Sequence, residues 1–216
     1  MKSIECPYIM TAIDIFEHDN NKCIVMPFAE YNALSYINKI LQVSEEPREE
    51  IAKRIVKATL EALHFLHSRN ICHRDVKTEN LLISGNLDVS PSVMLSDLGL
   101  AKQIGEGKKC DDEFVGTLKF AAPEIITHTP YDQSADIWSL GVTTYYLLSG
   151  TSPFPLSPEC CLRRCIEKGA YFYPQRTWKG ISEKAKNLID RMICVDPIKR
   201  ITAKEALDHP WFDKEE

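Results

Sequence analysis

The 216 residues are enough for one sizeable domain with a buried core, or at most two small ones. An apolar fraction of 44% and a charged fraction of 26% exclude disordered, collagen-like and fibrous chains. A net charge of −5 gives no global basic field for nucleic acid or an anionic membrane, and no apolar run approaches spanning length. Lys2, Glu5 and Asp14 interrupt any signal-peptide core, so the expected setting is cytoplasmic or nuclear, not secreted.

Taken in chain order, the first thirty residues read as two short strands. Residues 9–16 are β-branched and apolar, and 22–26 follow the turn-rich His18-Asp19-Asn20-Asn21. The chain then turns helical. Ser44-Glu45-Glu46-Pro47 is a helix-opening signal, and behind it Ile51, Ile55, Ala58, Ala62, Phe65 and Leu66 fall on one apolar face. Residues 71–97 mix short β-like pieces, Leu81-Leu82-Ile83 and Val93-Met94-Leu95, with polar loops. Further helices are predicted over Ser134–Ser149, Glu159–Lys168, 182–193 and 202–211, the last opened by the capping-box pattern Thr202-x-x-Glu205. Eight cysteines show neither C-x-x-C nor partner histidines at zinc spacing. Reduced, mostly buried thiols are expected, with a metal or disulfide role as the alternative. Cys160-Cys161-x-x-x-Cys165 would put two thiols on one helical face.

The chemistry-bearing residues lie in the loops between the long helix and the Ser134 helix. His73-Arg74-Asp75-Val76-Lys77-Thr78-Glu79-Asn80 packs a base, two cations, two acids and an amide into eight positions. Alone, such a loop reads as solvated surface. Seventeen residues past Asn80 stands Asp97-Leu98-Gly99. Gly116-Thr117, Ala122-Pro123-Glu124, Asp136-Ile137-Trp138-Ser139-Leu140-Gly141 and Asp196-Pro197 with Arg200 follow in order.

This ordered series resembles the large, mostly helical lobe of a eukaryotic protein kinase, with its H-R-D-x-x-x-x-N loop, its D-F-G position and its A-P-E. Lys77 and Gly116-Thr117 match the serine/threonine version of the pattern. The tail from Ile181-Ser182 to His209-Pro210-Trp211-Phe212 is similar to the calcium/calmodulin-dependent kinase group. The resemblance implies an α+β, mostly α-helical fold. Residues 1–30 would be the remnant of the small lobe, its last two strands and hinge. Residues 31–216 would be the large lobe, with catalytic loop and activation segment.

The implied activity is phosphoryl transfer from magnesium-ATP to serine or threonine hydroxyls of a protein substrate. Asp75 would orient the hydroxyl and accept its proton, and Lys77 would neutralise charge on the moving phosphoryl group. Asn80 and Asp97 would hold magnesium through oxygen ligands. Met26 falls at the gatekeeper position, Pro27-Phe28-Ala29 at the hinge that meets adenine, and Leu82 under the adenine ring. Glu79 would lie near nucleotide and peptide, and Arg74, Glu113 and Thr117 would organise the activation segment and substrate. Glu124 with Arg200 would form a buried ion pair, Asp136 would brace the catalytic loop, and His73 would pack inward.

Three departures qualify this. The activation segment has no Ser, Thr or Tyr from Asp97 through Gly116, so Glu113 or Asp112 is expected to pair with Arg74 without phosphorylation, in a segment similar to that of phosphorylase kinase. A solvated acidic turn is the alternative. The nine glycines never form G-x-G-x-x-G, and no V-A-I-K-like strand occurs, so ATP and magnesium binding is expected to be weakened. The chain is then a shortened kinase, a weakly active one, or a non-catalytic scaffold. Two strands without a sheet leave Ile13, Ile15, Phe16 and Val25 open, calling for a protein partner or inviting aggregation. Third, Ala33 stands near the place where basic-directed kinases carry an acid, leaving Glu79 with a weakened preference for basic residues upstream. No basic amphipathic segment for calmodulin follows Phe212.

Overall fold

Two strands, β1 (Asp14–His18) and β2 (Asn21–Val25), pair antiparallel with Phe16 opposite Cys23. Asp19 and Asn20 turn the hairpin with φ of 49° and 61°, the paired positive values a two-residue turn requires. The computed structural model describes residues 5–85, 91–105, 107–111, 115–155 and 157–213. The hairpin begins later than residues 9–16 suggest. Ile9 and Met10 are buried instead, because the chain there lies beside Leu95: Met10 N donates to Leu95 O (2.9 Å) and Leu95 N to Tyr8 O (2.8 Å).

After β3 (Tyr31–Asn32) comes α1 (Ala33–Val43), the helix expected to start near Ala33, whose far end residue spacing does not delimit. Its Asn32–Ser35 capping box and its buried face of Ala33, Tyr36, Ile37 and Ile40 are ordinary helix signals. The long helix α2 (Arg48–His67) buries Ile51, Ile55, Ala58, Ala62 and Leu66, as the spacing predicts. Glu49 in its first turn accepts from Ser182 N (2.9 Å) and Trp211 Nε1 (2.8 Å), fastening the helix to the C-terminal segment. Then follow β4 (Ile71–Cys72), β5 (Leu81–Ser84), β6 (Ser92–Leu95) and β7 (Lys102–Gln103). Strands β3, β5 and β6 make one small antiparallel sheet, and β4 pairs with β7.

The short α3 (Pro123–Ile126) precedes α4 (Ser134–Ser149), which is buried nearly all round. At Gly141 a Cβ would meet Met192 and Ile193 side chains at 2.8 Å, so a glycine lets α4 press against its neighbour. Next come α5 (Glu159–Lys168), α6 (Gln175–Trp178), α7 (Glu183–Met192) and α8 (Ala203–Leu207). The predicted helix over 202–211 is interrupted. α8 ends at Leu207, and His209 caps a separate 3₁₀ turn, Pro210–Phe212, by accepting from Trp211 N (3.2 Å); Pro210 has no N–H to continue a helix. Trp138, Trp178 and Trp211 are all buried in this helical body, Trp138 stacked on Phe154 at 5.9 Å. No helix among the described residues is long and apolar enough to cross a membrane.

The eight cysteines are free thiols, but the expectation that most are buried is corrected. Cys72 and Cys110 are buried, whereas Cys160 and Cys161 are exposed on the outward side of α5. The hairpin and the residue before it leave apolar side chains open: Ile13 is 64% and Phe16 48% exposed. Replacing Ile13 and Ile15 together by lysine is expected to shift the melting temperature by no more than about 3 °C and to lower light scattering at fixed concentration. A larger fall in melting temperature would show that the hairpin carries core packing.

Candidate active site

The site is built outward from Asp136, a carboxylate 1% exposed in the first turn of α4. Its Oδ2 accepts from His73 N (2.8 Å) and lies 2.9 Å from His67 Nε2, while Oδ1 accepts from Arg74 N (2.9 Å). The loop 73–80 is thereby hung from a core helix. Burial raises the Asp136 carboxyl, but the His67 hydrogen bond and charge, with the His73 contacts, outweigh it and hold the group below the usual carboxylate range. Arg74 adopts a left-handed φ of 71°. Against its carbonyl comes Gly116, where a Cβ would stand 2.6 Å from Arg74 O at φ +99°; a side chain there would push the stretch around Thr117 off the loop.

His73 is fully buried, its Nε2 3.0 Å from Ser96 O and its Nδ1 accepting from Asp75 N (3.3 Å). These contacts place the proton on Nε2 and make the ring a neutral strut, as expected; burial holds it below the ordinary imidazole range.

Four polar side chains converge next. Asp75, 7% exposed, takes Lys77 Nζ (2.6 Å) and Asn80 Nδ2 (3.0 Å) on Oδ2, and Thr117 Oγ1 (3.0 Å) on Oδ1. Lys77 Nζ also donates to Thr117 Oγ1 (3.0 Å), closing a ring across residues 42 apart in sequence. Asn80 is tied again through Nδ2 to Asp75 O (2.8 Å). Its own carbonyl accepts from Ser96 N (2.9 Å) and Ser96 Oγ (3.0 Å), which sets Asp97 beside it. Asp97 is exposed, left-handed at φ 63°, and accepts from Gly99 N (3.2 Å).

The remaining expected residues are more dispersed. Leu82, half-buried in β5, pairs with Asn32 and Met94 across the sheet. Met26 and Pro27 are exposed and Ala29 half-buried, in the connection from β2 to β3. Glu79 accepts from Thr78 Oγ1 (2.7 Å) and pairs with Lys119 at 3.5 Å. Arg74 Nε donates to Leu100 O (2.5 Å), and its Nη1 lies 3.5 Å from Tyr131 Oη and 4.0 Å from Cys110 Sγ. Glu113 and Asp112, the expected partners of Arg74, lie outside the described residues. Arg200 meets Glu124 through two bonds of 2.7 and 3.0 Å, both residues buried. Sequence reasoning missed His67, Ser96 and Lys119. His67 lay in the helical pattern just before the loop, and Ser96 immediately before Asp97.

A model of the protein kinase domain matches residues 1–212. The chain belongs to the protein kinase family. It is 35% identical over 215 residues to the phosphorylase b kinase gamma catalytic chain, liver/testis isoform, of Bos taurus, covering 96% of this chain and 51% of that one. A probable myosin light chain kinase of Dictyostelium discoideum is 36% identical over 212 residues, 98% of this chain and 59% of the relative. A calcium/calmodulin-dependent protein kinase of Emericella nidulans is 34% identical over 215 residues, 100% of this chain and 51% of the relative. The chain spans about half the length of the curated relatives it matches.

Two outcomes follow from the buried polar groups. Arg200→Met should cost about 3–5 kcal/mol, because Glu124 is left buried without its partner; a melting temperature within a degree of the parent contradicts this. His73 has a folded pKa below its unfolded value, so its contribution is complete above the unfolded pKa and is lost as pH falls through the folded one. Unfolding free energy should therefore decline from pH 7 toward pH 5, and His73→Phe should flatten that slope while lowering overall stability.

Proposed function

We propose that this domain transfers the γ-phosphoryl group of magnesium-ATP to serine or threonine hydroxyls of protein substrates. The observation that carries the reading is the Asp75 carboxylate, fixed by Lys77, Asn80 and Thr117 on a loop hung from the core. Such transfer needs positioning and charge stabilisation more than covalent chemistry. Asp75 would orient a hydroxyl and take its proton once that hydroxyl displaces Lys77 from Oδ2. Lys77 then swings its ammonium toward the incoming negative charge. Thr117 keeps the activation segment on the loop while this happens.

No cluster of three His, Cys, Asp or Glu able to hold a metal stands among the described residues. Magnesium that travels with a nucleotide needs only one or two protein oxygens, and Asp97 with the Asn80 amide supplies that donor set. The bound ion and nucleotide would bring the phosphoryl group and neutralise its charge. Leu82 and the segment from Met26 to Ala29 are the residues we assign to the adenine side. Serine or threonine acceptors are supported by Lys77 and Thr117 and by the name of a further relative, the serine/threonine-protein kinase H1 of Homo sapiens, 36% identical over 204 residues.

Neither G-x-G-x-x-G nor a V-A-I-K-like strand occurs within the 216 residues. Without those contacts to the phosphates, turnover by these residues alone should be orders of magnitude lower. A second reading, a non-catalytic scaffold, is favoured by that departure and by the exposed apolar hairpin, which offers a partner a surface. Incubation with labelled magnesium-ATP and both an acidic and a basic protein substrate separates the two. Transfer should be measurable and fall at least about 100-fold in Asp75→Asn. Equal signals from parent and variant would overturn the catalytic reading in favour of the scaffold.

A further inference from the structure

Two short turns flank Asp75 and form a rim beside its carboxylate. One wall is the 3₁₀ turn Thr78–Asn80, whose Asn80 bonds Asp75. The other is the 3₁₀ turn Leu118–Phe120, which directly follows Thr117 on the opposite oxygen. From the middle of each turn one charged side chain reaches toward the other: Glu79, 50% exposed, and Lys119, 36% exposed, 3.5 Å apart.

The two partners of this pair are not equally occupied. Each Glu79 oxygen already has a contact, Oε2 with Thr78 Oγ1 at 2.7 Å and Oε1 with Lys119 Nζ at 3.5 Å. Partial burial opposes its charge, yet the Thr78 bond, with its own backbone N–H and Lys119, holds it below the usual carboxylate range. An ammonium carries three donors, and Lys119 gives one long contact to Glu79 while lying 5.0 Å from the Phe120 ring centroid. A peptide arginine approaching Glu79 would have to displace Lys119 and stand beside it. A peptide carboxylate meets an ammonium with donors to spare.

We propose that Lys119 is a specificity-determining residue that favours acceptor peptides with acidic residues flanking the hydroxyl and disfavours basic ones. Glu79 thus acts as a tether for Lys119, not as a receptor for substrate arginine, contrary to the weak basic preference its presence suggests. The inference rests on the phosphoryl-transfer reading in one respect, that the acceptor hydroxyl is presented to Asp75.

Binding tests it without requiring turnover. Two fluorescent peptides with one serine, flanked on both sides by glutamate or by arginine, are titrated with the 216-residue chain. The glutamate peptide should bind about two- to fivefold more tightly, the range an exposed pair supports. Lys119→Glu should reverse the order, and Lys119→Gln should bring the two affinities together. Lys57→Glu, an exposed change of equal charge on α2, should leave the ratio as in the parent, which separates the rim from the net charge. The proposal is overturned if the parent binds the arginine peptide equally or better, if Lys119→Glu keeps the parent ratio, if Lys57→Glu shifts it as far, or if neither peptide binds. Peptide selectivity with no phosphoryl transfer would overturn the proposed activity alone and leave the role of Lys119 standing.

Discussion

Asp136 lies inside the protein with one oxygen accepting from the backbone of His73 and the other from that of Arg74, while His67 on α2 approaches at 2.9 Å. A carboxylate so deeply placed is costly unless its lone pairs are met, and here the donors that meet it belong to the loop and the long helix. The path of the loop 73–80 is therefore a condition for keeping α4 folded around a charge. Loop and core stand or fall together, so the geometry around Asp75 inherits the rigidity of the helical interior.

That rigidity is used to hold unfavourable backbone. Arg74 and Asp97 both take left-handed conformations, which cost of order 1–3 kcal/mol each for residues with side chains. Arg74 is held there by Asp136 below and by its guanidinium on Leu100 O. Asp97 is held by Ser96, which is fastened twice to Asn80, and by its own carboxylate on Gly99 N. Gly116 completes the enclosure from the far side of the loop, its absent side chain letting Thr117 reach Asp75. A loop that alone reads as solvated surface is thus fastened to the core at several points.

Much of this was legible in residue patterns. Spacing located α2, α4 and α5, and the motif order brought out Asp75, Lys77, Asn80, Asp97, Asp136 and the Glu124–Arg200 pair. What escaped has physical reasons. The bounds of α1 are hard to read because its cap, Asn32, is also the last residue of a two-residue strand, where strand and helix signals overlap. The start of the hairpin was misplaced because Ile9 and Ile13 look alike in sequence, whereas one enters the core and the other faces out. The tie between Glu79 and Lys119 joins residues forty apart, and no local pattern announces a pair made by two turns that meet only in the fold.

All three tryptophans sit in the helical body, and none lies in the N-terminal hairpin, which keeps its apolar side chains in solvent. Intrinsic tryptophan emission is thus a spectroscopic label confined to the helical body. A denaturation curve followed by emission reports the melting of the helices and is silent on the hairpin, which has only Phe16 among aromatic residues in its two strands. Agreement between emission and far-ultraviolet dichroism would speak for the helices alone. To observe the two strands coming apart, a chromophore has to be placed on them, and the thiol of Cys23, opposite Phe16 in the register, offers a point of attachment once the exposed Cys160 and Cys161 are replaced by serine.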